Sequence, residues 1–306
     1  MAKNTFPKIS IIGAGNVGTS LAIAFFEQGY PIASVIGRTG KSALSLAKAV
    51  KCKKVSTQVE DIEPSTEIII IAVSDPAIGE IAGALARNKR LKFKKIFVLH
   101  TSGAQTTALL QPLSKKGAIT ASMHPIQTFS AGRKRTKVRG IFFGIEGSPE
   151  ARSRAIRLVS DIGGKAIVVP PELKPLYHVA CVFASSYTIV ILNAIQELAK
   201  LLNINAPWTD VFGPLMTTAM ENTIKDSAAN ALTGPVTRSD LSTIKTHLTA
   251  LAQSAPQFLP MYTVAGIEVA RIAKAHGKIS QQEFQTLITK FRQFIKSTPQ
   301  QSKGRH

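Results

Sequence analysis

Residues 13–18 of the sequence, Gly-Ala-Gly-Asn-Val-Gly, have the spacing G-x-G-x-x-G between a β-branched run and an apolar stretch. The run Ile9–Ile12 predicts a strand before the glycines, and the apolar stretch predicts a helix after them. In this setting the first glycine allows a tight turn, the second lets a pyrophosphate approach the main chain, and the third lets the helix pack on the strand. The free N–H groups at the helix start then face the phosphates. The spacing therefore predicts a dinucleotide-binding domain.

The second predicted strand ends in Gly37-Arg38-Thr39. Sites that select NAD carry Asp or Glu at the end of this strand, about 20 residues after the glycines, because the carboxylate binds the ribose 2′-hydroxyl. Arg38 would instead pair with the 2′-phosphate of NADP, so we predict NADP as the cofactor. The alternative is that Arg38 is a solvated loop cation. The candidate cofactor contacts are Gly13, Ala14, Gly15, Asn16, Val17, Gly18, Arg38, Thr39, Val73, Ser74 and Thr101.

Short apolar runs alternate with helix-like segments over the first part of the chain. This alternation predicts an α/β fold with a doubly wound, mainly parallel Rossmann sheet. The predicted strands are residues 9–12, 33–36, 67–73, 96–100, 118–122, 141–146 and 165–169. The predicted helices between them are residues 18–29, 41–50, 76–87, 104–116 and 150–162.

After Pro170-Pro171 the pattern is helical throughout, with proline and glycine at the breaks. We therefore predict a Rossmann-like dinucleotide-binding domain over residues 1–170 and an all-helical substrate and dimerisation domain over residues 171–306. The tail from about residue 298 is predicted to be disordered. The predicted helices are residues 173–203, 207–230, 239–253, 256–277 and 280–297.

The composition is that of a globular chain with room for two cores. Hydrophobic residues make up 44% of the 306 residues, and the mean hydropathy is +0.12. Cys52 and Cys181 are too few for a disulfide framework and fit a reducing compartment, so we expect a cytoplasmic protein. We expect no membrane span, because no uninterrupted apolar run approaches the necessary length.

The formal charge of +20 comes from 38 Lys and Arg against 18 Asp and Glu. Two basic runs, Arg87–Lys95 and Arg133–Arg139, contribute strongly. They would attract a polyanion or an anionic cofactor and substrate, or they form a solvated basic surface. Neither run interleaves aromatic residues, and the sequence carries no nucleic-acid-binding motif. We therefore favour the solvated surface and do not expect a nucleic-acid partner.

Polar residues follow three of the predicted strands at the edge where Rossmann sheets bind ligands. Ser74 follows one strand, His100, Thr101 and Ser102 close the next, and His124 follows the third. Each histidine alone is equally well explained as a hydrogen-bonded structural imidazole, whereas two at successive strand ends favour a site. An unperturbed histidine titrates near about pH 6.5 and suits acid or base chemistry. We predict His124 as a candidate acid/base group and Ser102 as a substrate-orienting hydroxyl.

The helical half adds a second set of candidates. His178 and Ser185 lie seven residues apart on one predicted helix and share a face, with Cys181 between them. We predict His178 as the alternative acid/base group and Ser185 as another substrate-orienting hydroxyl. We also expect His124 and His178 to approach the nicotinamide position from opposite sides. A metal site is not predicted, because one histidine and one cysteine without carboxylates are too few ligands.

Arg238-Ser239-Asp240 follows a Gly-Pro turn between two predicted helices. In one interpretation Arg238 binds a carboxylate or phosphate of the substrate, for which its planar guanidinium is suited. In the other, Ser239 or Asp240 caps the next helix and Arg238 is a surface cation. Both interpretations remain open from the sequence.

Seven motifs, in chain order, resemble those of a bacterial family of predicted oxidoreductases: GAGNVG, GRT, AVSD, LHTSGA, HPIQTF, YHVACVFASS and ALTGPVTRSD. Members of this family join a Rossmann-like domain to a helical domain of unknown function. The second domain is similar to the C-terminal half of 6-phosphogluconate dehydrogenase and pyrroline-5-carboxylate reductase. The resemblance implies an active cleft between the domains and a homodimer. It also implies NADP binding through Gly13, Gly15, Gly18, Arg38 and Thr39.

Three positions depart from related sequences. Ala184-Ser185-Ser186 stands where the family helix usually reads Ala-Ser-Asn, and Arg238-Ser239-Asp240 stands where the last motif usually reads Arg-Gly-Asp. The related hydroxyacid dehydrogenases place a catalytic lysine on the first interdomain helix. Here the corresponding stretch is apolar, and Lys174 precedes it at a different spacing. We therefore do not expect a lysine-based mechanism.

Together these features predict an NADP(H)-dependent oxidoreductase that transfers a hydride to or from a small carbonyl- or hydroxyacid-type substrate. Two alternatives stay open. One is an imine reductase resembling pyrroline-5-carboxylate reductase, because reduction of an iminium needs less help from an acid. The other is a regulator that binds NADP(H) without turnover.

Overall fold

The computed structural model describes residues 6–130 and 137–297. Two compact units divide the chain, a sheet unit over Met1–Ser186 and a helical unit over Tyr187–His306. The domain boundary at residue 170 stays a prediction, because the limits of a compact unit need not coincide with the boundary between two sequence domains. The predicted disordered tail and residues 133–136 of the second basic run lie outside the described residues.

The sheet unit is built on an eight-stranded sheet with the order β3-β2-β1-β4-β5-β6-β7-β8. Neighbouring strands are parallel except β6 and β7, which are antiparallel. The first six strands have the order typical of dinucleotide-binding sheets, which confirms the predicted fold class. The strands are β1 Ile9–Ile12, β2 Ile32–Ile36, β3 Val55–Ser56, β4 Ile68–Ile71, β5 Phe97–His100, β6 Ile119–Pro125, β7 Phe142–Gly147 and β8 Lys165–Val168.

Strand β4 explains why helices cover both faces of this sheet. Its four residues are all isoleucine and all buried. Ile68 and Ile70 pack into the core on one face, and Ile69 and Ile71 pack into the core on the other, as the two-residue period of a strand requires. The helices of this unit are α1 Asn16–Glu27, α2 Gly40–Ala49, α3 Asp75–Arg87, α4 Gln111–Ser114, α5 Pro149–Asp161 and α6 Lys174–Val182.

Two elements of the sheet unit differ from the sequence expectation. Strand β3 has only two residues and is too short to leave a period in the sequence. The predicted helix over 104–116 is reduced to a 3-10 turn, Thr107–Leu110, followed by α4. The Ser102 hydroxyl accepts a bond from the main-chain N–H of Gln105, which holds the preceding residues in a turn.

All described secondary structure of the helical unit is helical, and it begins at the last residue of a π-helix. Its core is formed by α10, α11 and α12 and includes Ile244, Leu248, Leu287 and Phe291. Gly266 in α11 lies directly against the ring of Phe291, which fills the space that a side chain would take. The helices are α7 Thr188–Leu201, α8 Trp208–Lys225, α9 Ala228–Ala231, α10 Leu241–Ser254, α11 Leu259–Ala275 and α12 Gln281–Ser297.

The long helix predicted over 173–203 consists of α6, a π-helix over Phe183–Tyr187, and α7. The stretch Pro171–Leu201 has the length and composition of a membrane span, with a mean hydropathy of 1.7, and 6% of its apolar window is buried. Polar residues, among them His178, Ser185 and Asn193, interrupt the stretch, and the expectation of no membrane span stays a prediction. The start of the stretch is nevertheless fixed to the sheet, because the buried Lys174 ammonium donates to the main-chain oxygen of Ser102 at 2.9 Å.

Candidate functional site

The glycine turn after β1 contains one glycine that the fold does not need. Gly13 has φ +105°, a conformation that favours glycine, and a side chain on Gly18 would overlap the carbonyl oxygen of Gly13. A Cβ on Gly15, in contrast, would meet no atom of the protein within 4 Å. The chain itself therefore requires Gly13 and Gly18, whereas the space over Gly15 is free for a ligand.

A cavity of about 620 Å³ opens over this turn. It reaches from the N-terminus of α1 to the end of β2, and none of the described residues that line it is acidic. The start of α1 has no side-chain cap, so its free N–H groups suit a phosphate. These features fit a dinucleotide, and the preference for NADP through Arg38 stays a prediction. The predicted contacts that line the cavity are Gly13, Ala14, Gly15, Arg38, Thr39, Val73 and Ser74.

Four predicted cofactor contacts do not line this cavity: Asn16, Val17, Gly18 and Thr101. Asn16 instead donates from Nδ2 to the main-chain oxygen of Phe129 at 2.8 Å. Thr101 continues the sheet, because its main-chain N–H donates to the oxygen of Ile71 at 3.2 Å. Their cofactor roles stay predictions.

Three aromatic side chains meet beyond the ends of β5 and β6. His124 Nδ1 lies 2.6 Å from the hydroxyl oxygen of Tyr177. The His124 ring also meets the His178 ring edge-on, with centroids 5.8 Å apart. We call His124, Tyr177 and His178 the imidazole cluster. Because two rings in edge contact leave no room for a third between them, the prediction that the histidines flank the nicotinamide position from opposite sides is wrong.

Two glycines make the imidazole cluster possible. A Cβ on Gly103 would overlap the His178 ring and lie 2.9 Å from His124 Nε2. A Cβ on Gly144 would overlap the Tyr177 hydroxyl. Gly144 is the register partner of His124 across β6 and β7, so the phenol lies over the strand pair that carries His124.

The imidazole of His124 is uncharged at neutral pH. Burial, followed by the neighbouring His178 and then Lys174, lowers its pKa from about 6.5 to about 4. Burial first, and then the charge of Cys181 and a hydrogen bond with its side chain, raise the pKa of the Tyr177 phenol. A hydrogen bond with the main chain of Gly144 opposes that rise. His124 and Tyr177 are therefore both in their neutral forms near pH 7.

Lys174 joins α6 to the strand ends through a buried ammonium group. It is 1% exposed, and Nζ donates to the Ser102 carbonyl and to Ser122 Oγ. Burial lowers its pKa to about 8, against the opposing charges of Glu146 and Asp75. The sequence spacing set this lysine aside, yet the structure places it beneath the imidazole cluster. Its contacts are those of a structural cation rather than of an exposed acid.

His100 is a satisfied structural histidine. It is fully buried, its Nδ1 accepts a hydrogen bond from the Ser102 N–H at 3.2 Å, and its Nε2 donates to the Thr106 oxygen at 3.1 Å. These two bonds fix its neutral tautomer. Burial first, and the Lys174 charge second, lower its pKa to about 4.

The predicted hydroxyl ligands are engaged with the protein. Ser102 is buried and donates from Oγ to Asp75 Oδ2 at 2.8 Å. Ser185, within the π-helix, donates from Oγ to the Cys181 oxygen at 2.6 Å. The substrate-orienting roles of Ser102 and Ser185 stay predictions.

Arg238 lies in the helical unit, where it ends a short 3-10 turn and is exposed. Of the two interpretations of this motif, the capping one is correct for Asp240, whose side chain accepts the Thr243 N–H at 3.0 Å at the start of α10. Ser239 has φ +54°, which explains why related chains usually have glycine there. The anion-binding role of Arg238 stays a prediction.

The sequence assigns no role to Tyr177, and its spacing excludes Lys174 as a catalytic lysine. Lys174 and Tyr177 lie three and six residues after Pro171, at the predicted domain break. A sequence signal for Tyr177 does exist in Gly144, because glycine weakens a strand and often marks a close approach by another group.

Two family models match the sequence. A Rossmann-like domain covers residues 2–125, and a domain of unknown function, DUF2520, covers residues 141–268. The chain joins a Rossmann-like domain to a DUF2520 domain. The predicted resemblance is confirmed by this pairing. No curated protein sequence matches the chain.

Solved structures with the same fold extend over most of the chain. A candidate NADP oxidoreductase from Bacteroides fragilis is 26% identical, with a TM-score of 0.73 over 87% of this chain and 98% of that one. A protein from Thermotoga maritima is 23% identical, with a TM-score of 0.65 over 88% and 99%. A pyrroline-5-carboxylate reductase from Coxiella burnetii is 14% identical, with a TM-score of 0.55 over 95% and 99%. The chain thus has a dehydrogenase and reductase fold.

Proposed function

We propose that the chain is an NADP(H)-dependent oxidoreductase that moves a hydride between the cofactor and a small carbonyl- or hydroxyacid-type molecule. The observation that carries this proposal is the free space over Gly15, in a cavity that also contains Arg38 and no acidic lining residue. The similarity to a candidate NADP oxidoreductase supports it. The bound cofactor would supply the hydride, and the protein would position the acceptor carbon and manage one proton.

Hydrogen bonds connect the cavity to the imidazole cluster. Ser74 lines the cavity, and the next residue, Asp75, accepts a bond from Ser102. The Ser102 carbonyl in turn accepts a bond from Lys174, on the same helix as Tyr177 and His178. This connection supports the imidazole cluster as the place of proton transfer, with His124 or His178 as the acid/base group. Arg238 is the proposed anion-binding group of the substrate site.

An imine substrate is the second candidate. The specific observation is the lowered pKa of His124, which leaves that imidazole uncharged near pH 7. An uncharged imidazole is a weak acid, whereas a protonated imine already carries the positive charge that attracts a hydride. The fold shared with a pyrroline-5-carboxylate reductase is compatible with this candidate.

We further propose that the protein is a cytoplasmic homodimer without a membrane or nucleic-acid partner. Leu176 and Phe183 are 67% and 61% exposed, and Leu215 and Ile224 in the helical unit are 69% and 80% exposed. A second copy would cover side chains of this size, because monomeric proteins rarely leave such apolar groups in contact with water. Sedimentation velocity of the wild type and of Ile224→Glu tests this, and a monomeric wild type would contradict it.

The decisive experiment measures binding and turnover separately. We expect NADPH to bind and its absorbance near about 340 nm to fall with one member of a panel of 2-oxo acids, β-keto acids and cyclic imines. Turnover with a cyclic imine alone would select the imine candidate. Binding without turnover on the whole panel would favour a regulator, and a failure to bind either cofactor would contradict the proposal.

A further inference from the structure

The contact between His124 and Tyr177 is built by three elements. His124 lies at the end of β6, Gly144 pairs with it on β7, and Tyr177 reaches this pair from α6. The oxygen and nitrogen are 2.6 Å apart, and the ring planes are nearly perpendicular at 88°. Because Gly144 has no side chain, the phenol can approach the strand. The hydrogen bond is therefore held by the sheet and not by a surface loop.

The neutral Tyr177 phenol and the neutral His124 imidazole have one preferred arrangement of their protons. Burial and the neighbouring Cys181 keep the phenol of Tyr177 protonated. Its oxygen lies 2.6 Å from His124 Nδ1, so we assign its single O–H to that lone pair rather than to Cys181. A neutral imidazole that accepts at Nδ1 carries its own proton on Nε2. Among the described residues, no hydrogen-bond partner accepts from His124 Nε2, so this N–H is available to a substrate.

We propose that Tyr177 and His124 form a charge-neutral proton relay, in which His124 Nε2 serves the substrate and Tyr177 replaces the proton through Nδ1. This inference rests on the proposed oxidoreductase function and assigns the proton source within it. His124 is then the catalytic residue. Tyr177 is a positioning residue that acts through it.

The step balances for reduction of a carbonyl or imine. A hydride from the nicotinamide joins the substrate carbon, and the electron pair of the double bond moves to the oxygen or nitrogen. That atom takes the proton from His124 Nε2, while Nδ1 takes the proton of the Tyr177 hydroxyl. The imidazole is neutral before and after. The relay is restored when Nδ1 returns its proton to the phenolate and Nε2 takes a proton from water. The reverse sequence serves oxidation.

The relay also explains the environment of His124. The ring is close to a second imidazole, His178, and to the buried cation of Lys174. Both neighbours make an imidazolium at His124 unfavourable. This would be a disadvantage if His124 had to be protonated to its cationic form before it acted as an acid. A relay that never charges the imidazole avoids this cost.

The test uses the full chain without cofactor or substrate. In ¹⁵N-histidine NMR spectra, we expect His124 to show one neutral tautomer, with the proton on Nε2 and a hydrogen-bonded Nδ1. Tyr177→Phe keeps the ring and removes only the hydroxyl, so a mixture of both tautomers is expected in that variant. His124→Gln assigns the signals. Wild-type His124 with its proton on Nδ1, or unchanged signals in Tyr177→Phe, would overturn the relay.

The chain offers a matched control. His247 Nδ1 lies 2.8 Å from the Tyr262 hydroxyl in the helical unit, with the rings at 84°. Tyr262→Phe should change the His247 signals and leave those of His124 unchanged. If Tyr262→Phe also alters His124, the effect of the Tyr177 variant is a general loss of structure, and the relay is not supported.

Kinetics then separate the relay from the function. Once a substrate is found, Tyr177→Phe should lower turnover by about 10–10²-fold with NADPH affinity unchanged. The rate in mixtures of light and heavy water should curve in the wild type, because two protons move, and become linear in Tyr177→Phe. Turnover with a linear wild-type plot would overturn the relay and keep the oxidoreductase. If the NMR spectra show the expected tautomer but no substrate is turned over, the proposed oxidoreductase function is contradicted, and the relay has no catalytic role.

Discussion

Gly18 packs against the carbonyl oxygen of Gly13, at a point where a side chain on Gly18 would overlap that oxygen. The third glycine of the turn is therefore required for helix α1 to lie on β1. Gly15 lies between these two residues, and a Cβ there would meet no atom within 4 Å. The same short motif thus contains glycines required by the fold and one left for a ligand.

This difference predicts opposite results for two variants. Gly15→Val should abolish NADPH binding and leave the folded state intact, because the added branches enter space that only a pyrophosphate would use. Gly18→Ala should lower the stability, because the turn must open. Circular dichroism melts and fluorescence titration with NADPH measure both effects. Normal binding by Gly15→Val would show that the turn is purely structural.

Arg38 should determine the choice between cofactors. Arg38→Ala is expected to weaken NADPH binding by about 1.5–3 kcal/mol, or roughly 10- to 100-fold, and to leave NADH binding nearly unchanged. Arg87→Ala removes an equal charge at the end of α3, away from the residues that line the cavity, and is the matched control. Equal affinity of the wild type for NADPH and NADH would contradict this assignment.

His100 should make stability depend on pH in the mildly acidic range. Its pKa is about 4 when folded and about 6.5 when unfolded, so the unfolded chain takes up the proton first as the pH falls. Its contribution to the free energy of unfolding should fall by about 2 kcal/mol between about pH 7 and pH 4.5. Urea unfolding of the wild type and His100→Gln at both pH values measures this contribution. An identical pH dependence in the two proteins would refute it.

The backbone at Ser239 predicts a stabilising substitution. Its φ of +54° is unfavourable for any residue with a Cβ. Ser239→Gly should raise the stability by about 0.5–1 kcal/mol, because relief of this strain exceeds the added freedom of the unfolded chain. Gly234→Ala, at φ +108°, should have the opposite effect and serves as the comparison. Thermal melts of the wild type and of both variants measure the change in stability. A destabilised Ser239→Gly would show that the contribution of the Ser239 hydroxyl exceeds the backbone strain.

The two histidines of the imidazole cluster should differ in their kinetic effect. His124→Ala is expected to lower turnover by about 10²–10⁴-fold while cofactor affinity stays unchanged. His178→Ala should have a smaller effect, because His124, and not His178, makes the hydrogen bond to Tyr177 that the relay uses. Steady-state rates with the identified substrate decide this. If neither variant loses more than a few-fold, histidine acid/base chemistry is wrong and an imine substrate or a regulator is favoured.

The alternation of strands and helices could be predicted because most strands and helices of the sheet unit are long enough to leave a period in the sequence. All seven predicted strands exist, and the missing one, β3, has two residues. The antiparallel β7 was not distinguishable, since parallel and antiparallel strands share the same two-residue period. The break between α6 and α7 is a π-helix, which interrupts the helical hydrogen bonds without a proline or glycine to mark it.

For the candidate site, the sequence could predict which side chains lie at the carboxyl ends of the strands. The predicted strand ends placed Ser74 after β4 and His124 near the end of β6, where the structure has them, and their roles in binding and catalysis stay predictions. The strand-end rule could not separate the structural His100 from His124, since the partners of His100 lie in the segment after β5 and the partner of His124 lies on α6. It also missed Tyr177 and Lys174, which reach the site from a helix about 50 residues farther along the chain.

The sheet has two unlike edges, and this difference governs how the protein will behave when concentrated. Strand β3 ends one side after two residues and offers almost no template for another chain. Strand β8 ends the other side, where Ile167 and Val168 are 39% and 50% exposed. Lys165 at its start, with Nζ 5.5 Å from the centre of the Phe142 ring, places a charge on this edge that opposes strand addition. Aggregation by edge pairing should therefore begin at β8, and Lys165 is the residue that restrains it.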